Sequence, residues 1–171
     1  IKHLRDLGFS DPYVGFRITE REPGPDGSDD VVLEFASDRA LDPGPVGKIA
    51  SGGELSRLIL ALRLASGTSD ASIIAFDEID AGTGGATALA MGAKLKDLAK
   101  GRQVFCVTHL PQVAAYAETH FVVRRDANTA TVSELEGDER VEELSRMLAG
   151  LPDSERGREH AAELLAMADA S

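Results

Sequence analysis

Tryptophan is absent from this 171-residue sequence, tyrosine occurs twice and cysteine occurs once. The single cysteine, Cys106, excludes an internal disulfide and is typical of proteins from a reducing compartment. No basic segment followed by an apolar stretch marks a signal peptide, and no apolar run approaches the roughly 18 residues of a membrane-spanning helix. These absences predict a cytoplasmic protein with no membrane partner.

Positive charge is also scarce, because 18 lysines and arginines stand against 29 acids, for a net charge of −11. Phosphate contacts need lysine and arginine, so this composition argues against a simple nucleic-acid-binding surface. Only the stretch 39–125 is slightly positive, and both flanking segments are acidic. Four basic residues concentrate in one short stretch, which is typical of a solvated helix face, with a weak nucleic-acid contact as the alternative. They are Lys94, Lys96, Lys100 and Arg102.

Apolar periodicity divides the chain into alternating strands and helices. The predicted strands are 13–20, 31–36, 72–76, 103–107, 121–125 and 129–135, of which 72–76 and 103–107 are expected to be buried and the last two to form a hairpin. The predicted helices are 1–8, 51–67, one marked by the apolar positions of 88–98, 111–117, 139–149 and 154–168. The apolar face predicted for 51–67 consists of Leu55, Leu58, Ile59 and Leu62. Gly101 is predicted to follow the end of the next helix, and Gly150 and Pro152 to end 139–149. The stretch 21–30 is predicted to be a solvated loop. Short apolar strands alternating with helices predict an α/β fold with a mostly parallel sheet flanked by helices.

Three carboxylates lie directly after the predicted strand 72–76, in the run Asp77-Glu78-Ile79-Asp80. So many acids at the carboxyl end of a strand are electrostatically costly unless a cation offsets them. Nucleotide hydrolysis uses this arrangement, in which one acid holds Mg²⁺ and the next orients the attacking water. An acidic solvated turn is the alternative interpretation.

The helix predicted from Ser51 begins with Ser51-Gly52-Gly53-Glu54. Ser-x-x-Glu is a capping box, which explains the first and last of these residues. The two glycines each cost about 1 kcal/mol relative to alanine in a helix, so a cap alone would not select them. Paired glycines at a helix N-terminus let backbone N–H groups approach an anion, and both interpretations can hold together.

His109 follows the predicted strand 103–107, again at a carboxyl end. Most lone histidines have no catalytic role, and this one gains interest only from its position. Cys106 and His109 point to opposite faces of a strand, which disfavours a nucleophilic pair. No further cysteine and no paired-histidine spacing supports a zinc site.

Taken together, three segments resemble the ABC ATPase heads of the structural-maintenance-of-chromosomes (SMC) class. They read KIASGGELSRLILALRLA, IIAFDEIDAGTGG and VFCVTHLPQVAAYA. Within that class, the resemblance is to bacterial heads that act in DNA double-strand-break repair, and it runs from about Val31 to the C-terminus. It implies ATP and Mg²⁺ as cofactors, a second head and DNA as partners, and a nucleoid-associated cytoplasmic protein.

The resemblance also assigns roles by position. Ser51, Gly52, Gly53 and Glu54 match the signature motif, which contacts ATP held by the opposing head. Asp77 matches the Mg²⁺-associated acid and Glu78 the general base, whereas Asp80 falls in the loop that crosses the seam between heads. His109 matches the switch histidine that senses the γ-phosphate.

The phosphate-binding loop of such heads is missing from this sequence. No GxxxxGK[ST] occurs, and Gly47-Lys48 is followed by Ile49 rather than by serine or threonine. In this family that loop lies in an N-terminal lobe, which a coiled coil separates from the present segment. We therefore expect residues 1–8 to end a coiled-coil helix and 9–171 to form the C-terminal lobe, which hydrolyses ATP only when combined with the P-loop lobe.

Two other functions remain open from sequence. The nucleotide-binding subunit of an ABC transporter usually has proline after the catalytic glutamate, and Ile79 stands there. A structural adapter that keeps the fold without hydrolysis is disfavoured by the presence of both Asp77 and Glu78.

Overall fold

The computed structural model describes residues 1–49, 51–67, 71–149 and 154–170. These residues form two compact units, Ile1–Asp70 and Ala71–Ser171. No described helix is long and apolar enough to cross a membrane.

The described residues of the first unit, 1–49 and 51–67, form three strands and three helices. In chain order they are α1 (Lys2–Asp6), β1 (Tyr13–Gly24), β2 (Gly27–Ala36), β3 (Gly44–Pro45), α2 (Val46–Ile49) and α3 (Gly52–Ser66). The strands pair antiparallel in the order β1-β2-β3. The prediction of a loop over 21–30 is wrong, because β1 and β2 both extend into this stretch and a turn at Pro25 and Asp26 joins them. All side chains of 21–30 are exposed, so no apolar pattern marks this part of the ribbon.

Aromatic packing holds the core of the first unit. The rings of Phe9 and Phe35 meet edge to face with centroids 5.3 Å apart, and the Arg57 guanidinium lies 5.3 Å from the Phe9 centroid. The buried face of α3 includes Leu58, Leu60 and Ala61. The predicted face included Ile59 and Leu62, which are both 40% exposed, because α3 is apolar around most of its circumference and periodicity does not select one face.

The second unit contains four strands and four helices among its described residues. They are β4 (Ile73–Phe76), α4 (Gly85–Ala99), β5 (Gln103–Cys106), α5 (Pro111–Ala114), β6 (His120–Arg125), β7 (Ala130–Leu135), α6 (Asp138–Ala149) and α7 (Glu155–Asp169). The predicted hairpin is confirmed as β6 and β7. Gly150 and Pro152, which were predicted to end α6, lie outside the described residues.

The α/β class is confirmed, but the sheets are smaller than expected. β4 and β5 pair parallel, with Ile73 opposite Gln103 and Phe76 opposite Cys106. Among the named strands of the described residues this is the only parallel pair, and the other two sheets are antiparallel. The expected burial of these strands is also incomplete, since Ile73 is 61% exposed. A two-stranded sheet has too few neighbours to cover both of its faces.

Helix packing supplies the core of the second unit. The four apolar positions predicted for α4 are all buried, namely Ala88, Met91, Leu95 and Leu98. Gly101 follows the helix with a φ of 88°, which confirms its predicted role at the C-terminus. A second cluster joins α5, α6 and α7 through buried residues that include Leu144, Ala161 and Leu164.

Candidate functional site

The predicted site residues fall in both units, and the first group begins α3. The Ser51 backbone N–H donates to Glu54 Oε2 at 3.0 Å, and the Glu54 N–H donates to Ser51 Oγ at 3.4 Å. The predicted capping box is therefore confirmed. Ser51 and Gly52 are exposed and Gly53 is buried, so the start of the helix presents backbone to its surroundings.

The capping box has an electrostatic consequence for Glu54. The hydrogen bond from the Ser51 N–H lowers the pKa of the Glu54 carboxyl below its usual value, and burial opposes this shift. An ionised carboxylate in the first turn also interacts favourably with the helix dipole. Glu54 is thus engaged in holding the helix start, which leaves the exposed Ser51 and Gly52 as the groups accessible to a ligand.

The second group follows β4, where the chain turns sharply. Asp77 and Glu78 are both exposed, and the Ala81 N–H donates to the Glu78 carbonyl at 3.1 Å. Glu78 has a φ of 54°, and among the described residues it is the one non-glycine residue with positive φ. This left-handed conformation costs about 1–2 kcal/mol for a residue with a side chain. Such strain clusters at functional sites, where it directs a side chain.

Asp80 differs from its two acidic neighbours because its side chain is only 3% exposed. The Thr108 hydroxyl donates to Asp80 Oδ2, and the His109 backbone N–H donates to the same oxygen at 3.0 Å. His109 Nδ1 lies 3.2 Å from this oxygen as well. The structure therefore brings Asp80 and His109 together and ties the end of β4 to the end of β5.

Sequence reasoning missed Thr108 and the inward direction of Asp80. Besides its bond to Asp80, the Thr108 Oγ1 accepts a hydrogen bond from the Leu110 N–H at 3.0 Å. The available signal was its position beside His109 at the end of a strand parallel to β4. The position of Asp80 in a loop that crosses the seam between heads stays a prediction, and within this chain its carboxylate accepts hydrogen bonds from Thr108 and His109.

The acids after β4 can hold Mg²⁺ only together with other ligands. Asp80 faces inward, and no group of three or more His, Cys, Asp or Glu in the described residues is arranged to hold a metal ion. Mg²⁺ commonly binds through one or two carboxylates plus the phosphates of its substrate. The exposed Asp77 fits that donor set, so a nucleotide-associated Mg²⁺ is chemically compatible with this edge.

Cys106 lies at the end of β5 but does not supply a nucleophile. Burial raises the pKa of the Cys106 thiol to about 12, and the charges of Asp80 and Asp77 add to the effect. Thiolates are the reactive form of cysteine, so this residue remains a neutral thiol near pH 7. The prediction that Cys106 and His109 do not form a nucleophilic pair agrees with this environment.

A cleft of about 1060 Å³ runs beside β5 in the second unit. Phe105 and Val107 line it from the β5 side, and Phe121 and Val123 line it from β6. All four side chains are at least 48% exposed. Apolar surface of this extent on two facing strands is typical of a place where another element packs.

The basic residues of 94–102 are partly engaged within the chain. Lys96 Nζ donates to the Ala168 carbonyl at 2.6 Å, at the end of α7, and Lys100 Nζ donates to Asp97 Oδ1 at 2.7 Å. These bonds favour the solvated structural interpretation of the run over a nucleic-acid contact.

The sequence is similar to curated proteins over most of its length. No protein-family model matches the chain. The chain is 51% identical to the DNA repair protein RecN of Mycobacterium leprae (strain TN) over 145 residues, which cover 83% of the chain and 25% of that protein. It is 45% identical to the protein of the same name from Deinococcus radiodurans over 168 residues, which cover 95% of the chain and 29% of that protein. The chain thus spans less than a third of the length of these relatives.

Solved structures with a similar fold include SMC heads. An Smc head domain with a coiled coil and joint from Pyrococcus yayanosii has a TM-score of 0.59 at 20% identity, covering 98% of this chain and 28% of that one. A structure described for ATP-driven dimerization and DNA-stimulated activation of SMC ATPases has a TM-score of 0.52 at 16% identity, covering 86% of this chain and 89% of that one. Over the stretch that it spans, the chain is therefore a homologue of the DNA repair protein RecN, with the α/β fold of SMC ATPase heads.

Proposed function

We propose that this chain is the C-terminal half of an SMC-like ATPase head that binds and hydrolyses ATP between two heads in DNA double-strand-break repair. The observation that carries the proposal is the edge where β4 and β5 end. Asp77 and Glu78 are exposed there, and Asp80 holds His109 beside them. The name shared by the curated relatives supports the assignment to DNA repair.

Each residue at this edge has a distinct task in the proposed reaction. Asp77 would hold Mg²⁺ together with the nucleotide phosphates, and the bound ion would neutralise charge on those phosphates. Glu78 orients the attacking water and accepts its proton. His109 contacts the γ-phosphate region through its exposed ring, which is 71% accessible. The strained backbone of Glu78 supports the role of its side chain as base, because a positive φ sets the direction in which that side chain leaves the backbone.

The start of α3 acts on a nucleotide bound to the other head. Ser51 and Gly52 are exposed and offer a hydroxyl and backbone N–H groups at the N-terminus of a 15-residue helix, and the buried Gly53 belongs to the same first turn. Such a terminus attracts phosphate through its dipole and its N–H groups that lack helix partners. Glu54 completes the site indirectly, because the capping box sets the position of Ser51.

The N-terminal P-loop lobe is the partner that completes this half. We place it in the cleft between β5 and β6, where Phe105 and Phe121 are exposed on facing sides. Strands supplied by that lobe would pair beside β5 and give the mostly parallel sheet that the sequence predicts. We also propose that residues 1–8, which include α1, are the end of a coiled-coil helix and that residues 9–171 form the C-terminal lobe.

We propose that other parts of the protein make most of the contacts with DNA. The chain is strongly acidic, and two lysines of its basic run are bonded within the chain. Counterion release by lysine and arginine dominates DNA affinity, so this half contributes little to it.

The two alternatives have less support. A transporter subunit is disfavoured because Ile79 follows Glu78 and because the curated relatives carry a DNA repair name. A structural adapter is disfavoured because Asp77 and Glu78 remain exposed at the end of β4.

Nucleotide binding tests the proposal directly. Calorimetry with Mg²⁺-ATP is carried out on this chain alone and on the complete head that includes the P-loop lobe. We expect tight binding and hydrolysis only for the complete head. Equally tight binding by this chain alone, or a complete head that does not hydrolyse ATP, would overturn the proposal.

A further inference from the structure

The Asp80 carboxylate organises the end of β5 through one oxygen. Asp80 Oδ2 accepts a hydrogen bond from the Thr108 hydroxyl and another from the His109 backbone N–H at 3.0 Å. His109 Nδ1 lies 3.2 Å from the same oxygen. A carboxylate that is 97% removed from solvent is costly to bury unless donors surround it, so these contacts account for its position.

The chemistry of these groups decides where the imidazole proton lies. Nδ1 lies 3.2 Å from Asp80 Oδ2, and the negative charge of an ionised carboxylate at this distance favours a proton on Nδ1. A neutral imidazole has one N–H, and with that proton on Nδ1 the other ring nitrogen is an acceptor. In the charged ring both nitrogens carry protons, and the one on Nδ1 again lies beside Asp80.

We propose that Asp80 is a positioning residue that holds the proton of His109 on Nδ1 and leaves Nε2 to meet the reacting groups. This inference rests on the proposed function for the role of His109, and it gives Asp80 a task within its own head. The ring is 71% exposed while the carboxylate is 3% exposed, so one side of His109 is fixed and the other is accessible. A second group that orients the base or acid is a recurring device in catalytic sites.

Thr108 supports the same arrangement from the strand side. Its hydroxyl donates to Asp80 and accepts from the Leu110 N–H at 3.0 Å, so both of its functions as donor and acceptor are used. The bond from the Thr108 hydroxyl helps to hold Asp80 Oδ2 beside the backbone N–H and the ring of His109. A carboxylate held in one direction imposes one ring orientation, which a mobile surface carboxylate would not do.

The nitrogen chemical shifts of the histidine rings in the complete head test the inference. The spectra are recorded at about pH 9, where free imidazole is neutral, and a His109→Gln variant assigns the resonances. We expect the Nδ1–H tautomer for His109, although free imidazole side chains in water favour Nε2–H. The Asp80→Ala variant, and the size-conserving Asp80→Asn variant, should shift the population toward Nε2–H.

Turnover supplies a second measurement with a matched control. Loss of an orienting partner typically costs about 10- to 100-fold, so Asp80→Asn should lower kcat by that factor with little change in KM. Thr83 is the control, because its hydroxyl donates to the Asp80 backbone carbonyl at 2.8 Å and not to the carboxylate. Thr83→Val should leave the His109 tautomer and kcat unchanged.

The outcomes separate this inference from the proposed function. An Nε2–H tautomer in the parent head overturns the inference even if the head hydrolyses ATP. An Nδ1–H tautomer that persists in Asp80→Ala also overturns it, because Asp80 would then not be the cause. A parent head without ATPase activity overturns the proposed function, and the ring spectra of the same head still decide the tautomer.

Discussion

The Arg146 guanidinium donates two hydrogen bonds to the Glu143 carboxylate, one turn away on α6. Nε donates to Oε2 at 2.9 Å and Nη2 donates to Oε1 at 2.6 Å. The Glu143 side chain is 7% exposed and the Arg146 side chain is 53% exposed. The hydrogen bond from Arg146 lowers the pKa of the Glu143 carboxyl below its usual value. The hydrogen bonds from Arg146 therefore stabilise the ionised Glu143 carboxylate in a buried position of the second unit.

Removing the arginine leaves that buried carboxylate without its main donor. Hydrogen bonds to charged groups contribute about 1.5–3 kcal/mol to stability. Solvent screening lowers that contribution here, because the Arg146 side chain is 53% exposed. We expect Arg146→Ala to lower the free energy of unfolding by about 1–2 kcal/mol. Denaturation followed by circular dichroism measures the loss. Arg158→Ala is the matched control, because Arg158 bonds the exposed Glu142 at 3.2 Å and should cost under about 0.5 kcal/mol.

The same pair gives a pH dependence with a definite sign. The folded pKa of Glu143 is lowered, so its contribution to stability is present above the unfolded value of 4.5 and is lost as pH falls through the folded value. The difference between the parent and Arg146→Ala should therefore be full at about pH 7 and fade below about pH 4. A difference that grows on acidification would contradict the assignment.

The positive φ of Glu78 leads to a second prediction. A φ of 54° costs about 1–2 kcal/mol with a side chain, and glycine removes that cost. Glycine also has more freedom in the unfolded chain, which returns about 0.5–1 kcal/mol. We expect Glu78→Gly to raise the free energy of unfolding by up to about 1 kcal/mol while abolishing turnover.

The same chemical change in a helix is the control for Glu78→Gly. Glu159 is exposed on α7, where glycine costs about 1 kcal/mol relative to good helix formers. Glu159→Gly should therefore destabilise the chain. If both variants lose stability to the same extent, the conformation of Glu78 carries no strain.

A third prediction concerns Ser51, where the cap and the proposed phosphate contact coincide. Ser51→Arg puts a long side chain into the volume that a phosphate from the other head would occupy, so ATP-dependent dimerisation of the complete head should be lost. The lost cap costs about 1 kcal/mol, which a folded head tolerates. Ser51→Thr keeps both the hydroxyl and the cap, and it should still dimerise. Light scattering with and without ATP decides the matter, and an intact dimer with Ser51→Arg would reduce this segment to a helix cap.

Periodicity and terminal signals predicted most of the fold. As the sequence predicts, Ser51 caps the start of α3 and Gly67 caps its end. The predicted apolar positions of α4 are all buried. The buried face of α3 could not be predicted, because Leu58 and Ile59 have the same apolar character and only packing separates them. The extension of β1 and β2 was missed for the opposite reason, since their exposed ends carry no apolar pattern.

The site was predicted as a set of residue types and positions, without its internal bonds. Position at strand ends selected Asp77, Glu78 and His109. The burial of Asp80 was not predictable, because adjacent acids look alike in sequence and only the turn after β4 directs one of them inward. The positive φ of Glu78 was equally hidden, since left-handed backbone is usually signalled by glycine or asparagine.

The fourth prediction contrasts Asp77 with its neighbour. Asp77→Asn replaces an anionic Mg²⁺ ligand by a neutral amide of similar size, which is a poorer ligand for a hard cation. We expect Mg²⁺-ATP binding by the complete head to weaken, with hydrolysis falling as a consequence. Calorimetry at several Mg²⁺ concentrations measures this, and unchanged affinity would remove Asp77 from the metal site.

The last prediction assigns the proton transfer to Glu78. Glutamine keeps the size and much of the hydrogen bonding but cannot take a proton from the attacking water. Positioned general bases contribute about 10²- to 10⁴-fold, so Glu78→Gln should slow single-turnover hydrolysis by that factor. Binding should persist, because Asp77 is intact and one fewer negative charge does not weaken affinity for an anion. The ATP-bound dimer should then accumulate, since hydrolysis is what releases it, whereas hydrolysis at the parent rate would show that Glu78 is not the base.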